Sequence, residues 1–213
     1  MSKAILTSAY LPCVQYISKL VAYENIEIEQ FEHFNKQSYR NRCMILGTNG
    51  VQTLNVPVVK ARNRKVLTKD VKIAYDTPWQ KQHWKSIISA YNSSPFFEYY
   101  ADVLAPFFEN KYDYLLEFNQ EILQTIIEEI ELEATVELTP DFIHEYPAEV
   151  TDYRQVIHPK TQRQQPDNRF EAKSYTQVFS HKMEFQPNLS IIDLLFNKGP
   201  ETYSFLEECV LEG

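Results

Sequence analysis

The chain has 213 residues, 44% of them hydrophobic and 14% aromatic, and a formal net charge of −8. At this length a fold buries roughly 70% of the surface that its unfolded form exposes, which excludes disorder and any need for disulfide or metal staples. The acidic balance argues against nucleic acid or an anionic membrane as partner, because both attract a basic surplus.

Four glycines, Gly47, Gly50, Gly199 and Gly213, leave no loop for the phosphate cradle of a Walker A or dinucleotide turn. No cofactor is therefore expected. Zinc needs three or four converging ligands, and the spacings of His33, His144, His158 and His181 suggest none. Cys13, Cys43 and Cys209 are an odd number at unrelated spacings. They read as reduced thiols in a reducing compartment. The apolar run after Met1 is too short for a signal segment, and no stretch of about 18 apolar residues follows. The expected location is cytoplasmic, without a membrane span.

In chain order, Ala4–Leu6 predicts a strand, Val14, Ile17, Leu20 and Val21 a helix, and alternating Ile26 and Ile28 a second strand. Strand, helix, strand at this spacing is a βαβ unit with a parallel pair. Arg40–Leu46 and Val51–Val59 flank Asn49-Gly50, the strongest short hairpin signal. Pro57 marks an edge or a bulge. Val71, Ile73 and Tyr75 alternate as one more strand.

Helices follow. Thr77-Pro78 opens the first as N-cap and leading proline. Its apolar face carries Trp84, Ile87, Ile88 and Tyr91. Ser94-Pro95 opens an aromatic-rich helix to about Phe108. A third runs from about Asp113 to Ile130 on the stripe Leu115, Phe118, Ile122 and Ile126. From Thr139 to Lys173 periodicity is lost, which reads as a functional or mobile loop, with Thr151–Lys173 the most mobile part. Two short helices separated by Gly199-Pro200 close the chain.

Several segments carry a resemblance. They are Tyr10-Leu11-Pro12 with Tyr16 and Lys19; Lys36 through Arg42; Leu54-Asn55-Val56-Pro57-Val58; His83-Trp84 to Phe97; and Phe185 through Gly199. Together they resemble the WbqC-like family of bacteria over nearly the whole chain. Thr7-Ser8-Ala9, where the commoner pattern has His-Gln-Pro-Asn, and a short stretch before Phe179 resemble a Bacteroidetes-like branch. The resemblance implies a place in O-antigen and other surface-polysaccharide synthesis, with a proposed aminoacyl (glycine) transferase role.

The residues leave alternatives open. Lys36, Arg40 and Arg42 form a basic cluster in an acidic chain, and Arg40 and Arg42 share a face if the backbone is extended. They read as a charged strand edge or as an anion site. A second cluster, Lys60, Arg62, Arg64 and Lys65, reads as an ordinary loop tip. His83 is a rim histidine or a general base. Asn119, inside an apolar stripe, ties a loop or meets a ligand. Ser190, Asp193 and Asn197 line one side of an otherwise apolar helix. Ser190 and Asp193 fit a capping box, or Asp193 is a buried acid. Cys13 reads as packing.

The expected fold is one α/β domain over residues 1–213, in three layers, with a mixed parallel and antiparallel sheet, a β-hairpin and packed helices. The function that the resemblance implies is acyl or aminoacyl transfer on a small anionic or activated sugar or acyl substrate in surface-polysaccharide synthesis. Substrate contacts would come from Tyr10, Lys36, Tyr39, Arg40, Asn41, Arg42, Asn119 and Asn197, and catalytic groups would be His83 and Asp193. The alternative is a binding or scaffold protein without catalysis. An enzyme requires the basic cluster and Asp193 to converge on one cleft.

Overall fold

The central strand β1 (Lys3–Thr7) is buried on both faces, with Ala4, Ile5 and Leu6 inaccessible to solvent. Continuous apolar burial of this kind belongs to parallel sheets covered on both sides, and burying each isoleucine or leucine contributes about 2 kcal/mol. The computed structural model describes residues 2–60 and 65–212. Helix α1 (Val14–Ala22) crosses over to β2 (Asn25–Glu29), which lies parallel to β1 with Ala4 opposite Ile26. Two further strands, β5 (Thr135–Leu138) and β6 (Val150–Asp152), complete a four-stranded parallel sheet in the order β5-β2-β1-β6.

The hairpin forms as expected. β3 (Arg42–Gly47) and β4 (Gly50–Asn55) pair antiparallel, Arg42 facing Asn55 and Gly47 facing Gly50. Gly50 holds φ at +114°, which a side chain would resist. Parallel and antiparallel pairing are thus both present, partitioned between two sheets.

Three local expectations are corrected. Val71–Tyr75 is not a strand: a 3-10 turn at Thr68–Asp70 precedes it, and only isolated bridges, Val58 with Ile73 and Lys72 with Tyr114, hold it. The Thr139–Lys173 segment is not uniformly loop, because β6 lies inside it. Finally, Pro78 is the N-cap of α2 (Trp79–Tyr91) and not its first residue. Helices α3 (Phe97–Leu104), α4 (Pro106–Glu109) and α5 (Leu115–Ile130) follow, and α6 (Ile191–Lys198) and α7 (Thr202–Cys209) end the fold. α2 and α6 pack on β3, and α7 packs on α1. One contiguous apolar cluster runs from Ala4 to Cys209.

Candidate anion-binding cleft

A single 3-10 turn, Tyr39–Asn41, organises the region. Its three carbonyls point to three different elements. Tyr39 O accepts from Tyr10 N at 2.9 Å, Arg40 O from Asn119 Nδ2 at 2.8 Å, and Asn41 O from Val56 N at 2.8 Å. Asn119, on α5, also donates to Ser8 Oγ at 2.8 Å, so its amide ties loops to the turn. Tyr10 stacks on Phe118 and meets His83 Nδ1 through its hydroxyl at 2.9 Å. Burial lowers the His83 pKa to about 4, opposed by a hydrogen bond to the Asn55 backbone. His83 is therefore a neutral ring inside the scaffold.

The turn separates the two arginines. Arg40 is buried and reaches back to Glu32, with Nε donating at 2.8 Å and a second guanidinium contact to the same carboxylate oxygen. Burial raises the Glu32 pKa, with Arg40 opposing the shift. Because the backbone is a turn and not extended, Arg42 leaves on a different side from Arg40.

Arg42 lines a cleft of about 640 Å3 with Lys36 and Asn41. Lys60 and Lys65 border it from the chain beyond β4, and Lys72 from the segment after the 3-10 turn at Thr68–Asp70. Phe34, Val58, Val66 and Val71 supply its apolar lining, and Asp70 is the one carboxylate among the described residues that line it. None of these cations joins an ion pair among the described residues. Burial lowers the Arg42 pKa from its usual value, and buried Arg42 Nε and Asn41 Oδ1 have no hydrogen-bond partner among the described residues. Gln37, also in the lining, holds φ at +64°, a costly conformation without glycine. Arg62 and Arg64 lie outside the described residues.

Asp193 and Asn197 belong elsewhere. The Asp193 carboxylate, fully buried, accepts from Tyr91 OH at 2.8 Å, Tyr175 OH at 2.6 Å and Gln177 Nε2 at 3.1 Å. Burial raises its pKa, and these three donors oppose the shift. Tyr91 OH accepts in turn from Leu46 N at 3.0 Å. Leu46 and Arg42 are four residues apart on β3, which is roughly 13 Å. The expected capping box does not form: Ser190 Oγ donates to Leu11 O at 2.9 Å, and the Asp193 carboxylate is held by the three donors just named. Asn197 Nδ2 donates to the Asp193 carbonyl within the helix. Cys13 is buried with its pKa pushed up to about 11, which suits packing and not nucleophilic attack.

The structure thus joins Tyr10, Tyr39, Arg40, Asn119 and His83 as a scaffold behind the cleft, and brings Lys36, Asn41 and Arg42 to its surface. It leaves Asp193 and Asn197 at the other end of β3. Lys72 falls inside the strand that Val71, Ile73 and Tyr75 predict, and Asp70 lies just before it, so neither carries a site signal in the sequence. Lys60 and Lys65 read from the sequence as an ordinary loop tip, whereas the structure places both in the cleft lining.

Fold and cleft together define an α/β domain with a cation-rich, carboxylate-poor recess beside the open end of a β-hairpin. The chain belongs to the WbqC-like protein family, whose model matches residues 7–164 and 164–205. An uncharacterized protein of Mycobacterium tuberculosis, Rv1507c, is similar to it at 26% identity over 230 residues, covering 97% of each chain. No solved structure matches the chain.

Proposed function

We propose that this protein binds a small, multiply anionic metabolite in the Lys36–Arg42–Lys72 cleft, and that an activated sugar or acyl intermediate of surface-polysaccharide synthesis is that ligand. The observation that carries the reading is the partly buried Arg42 guanidinium with no counter-ion among the described residues. Among the described residues, Arg40 and Arg154 also turn inward and each has a carboxylate partner, while the half-buried Arg169 lies over the Tyr23 ring. A desolvated charge without a partner is costly, and a phosphate or carboxylate would complete it by a charge-assisted, bidentate bond. The apolar wall suits the less polar remainder of such a ligand.

An aminoacyl or acyl transferase needs a proton-handling group at the ligand, and Asp70 is the carboxylate in reach of the cleft. His83 and Asp193 are already engaged by internal hydrogen bonds. The test is calorimetric titration with inorganic pyrophosphate and with a nucleoside diphosphate-sugar, using wild type, Arg42→Gln and Lys36→Gln. Each substitution should weaken binding about ten- to a hundred-fold, the loss of one charge-assisted contact, with little change in melting temperature. Undiminished binding in both variants would move the ligand out of this cleft.

A further inference from the structure

A second recess, on the other charge sign, lies between α3, the end of α5 and the start of α7. It encloses about 700 Å3, a size suited to a small organic ligand. Its rim carries Glu129, Glu131 and Glu133, and no lysine or arginine is among the described residues that line it. Its walls carry Tyr99, Tyr100 and Tyr203. Tyr99 is 70% exposed and Tyr203 40%, large apolar areas left facing solvent. The nearby cation Lys198 pairs with Glu201 at 2.9 Å and lies over the Phe205 ring.

Three features mark this recess. Carboxylates crowd the C-terminal end of α5, where the helix dipole is already negative. Glu131 takes the left-handed C-cap position, φ +59° and ψ +42°, which glycine fills at less cost. Thr202 borders the same recess, and its buried hydroxyl has no hydrogen-bond partner among the described residues. The carboxylates also act on the rings: Glu129 and Glu131 help burial to raise the Tyr100 pKa, and that of Tyr203 is raised chiefly by Glu207, with Glu133 adding a little.

We propose that this recess is a binding site for a small organic ammonium ion. The aromatic faces would hold its charge by cation–π attraction, the carboxylates would accept its N–H bonds, and the Thr202 oxygen would supply one more acceptor. The site stands apart from the basic cleft and does not depend on its assignment.

The experiment titrates the full chain with 1,4-diaminobutane and with neutral 1,4-butanediol, following tyrosine ring resonances. The diamine should shift Tyr99, Tyr100 and Tyr203 to saturation in the millimolar range or below, as a six-heavy-atom ligand allows; the diol should not. Glu131→Gly separates ligand binding from folding. It relieves the left-handed strain, so the melting temperature should rise while diamine affinity falls about ten-fold, the loss of one charged contact. Glu129→Gln should weaken the diamine without the gain in stability. Equal shifts from diamine and diol, or diamine affinity unchanged in both variants, would overturn the proposal. Tight binding of a short lysine-rich peptide with no saturation by the diamine would overturn it too, making the recess a protein-docking surface.

Discussion

His83 illustrates how one side chain's environment sets its chemistry. Its ring is buried between Trp79, Tyr10 and the β4 end, and burial holds its pKa near 4 against an ordinary 6.5. The sign follows directly. Between those two values the unfolded chain carries a proton on this ring that the folded chain does not, so stability falls as pH drops through the window and levels off below it. The full effect is about 3 kcal/mol. Glu32 and Asp193 have raised values and work in the opposite direction, gaining protons in the folded state first. The wild type should therefore be compared with His83→Gln, by urea unfolding at about pH 7.5 and about pH 4.5. The wild type should lose more stability than the variant on acidification. Parallel losses would mean that His83 titrates freely in the folded protein.

At the scale of elements, the segment after β6 shows how a stretch without periodicity becomes fixed. Asp167 reaches the fully buried Lys19 ammonium on α1 at 2.7 Å and accepts from Gln15 at 2.8 Å. Tyr153 is buried and lies under the same ammonium, 4.7 Å from ring centre to Nζ. Burial lowers the Lys19 pKa, and Asp167 pulls it back. Removing Asp167 alone leaves an uncompensated buried charge. Asp167→Ala should cost about 3–5 kcal/mol, whereas Lys19→Met with Asp167→Leu should be near neutral. Urea midpoints of the single and double variants decide it. A single variant as stable as the wild type would mean that the segment is only loosely held, as its composition suggested. Arg154 adds a second anchor, bonding Asp152 at 2.7 Å and lying 3.5 Å from Glu29 across the sheet.

Over the whole molecule, Cys13, Cys43 and Cys209 sit in the first, second and last parts of one apolar cluster, all buried and none in a disulfide. Burial raises the pKa of each thiol. They are internal reporters of opening. If residues 1–213 fold as one cooperative domain, alkylation under increasing urea should label all three with one midpoint, coincident with the change in Trp79 and Trp84 fluorescence. Earlier labelling of Cys209 would make α7 a separate, less stable unit.

By itself the sequence determined what depends on local periodicity and backbone chemistry. The β1–α1–β2 unit follows from apolar spacing, the β3–β4 hairpin from Asn49-Gly50, and the long helices from their stripes. It also determined that Asn119, inside such a stripe, must find partners. Tertiary structure decided what depends on distant pairing. β5 and β6 are short, and nothing in Val150–Asp152 alone marks a strand until β1 offers its free edge. Whether Arg40 or Arg42 faces the cleft hinged on a 3-10 turn whose carbonyls are claimed by Tyr10, Asn119 and Val56. The role of Asp193 hinged on Tyr91, 102 residues away in the chain. Periodicity reports which face of an element is buried; it does not report what that face is buried against, and a site is made of those contacts.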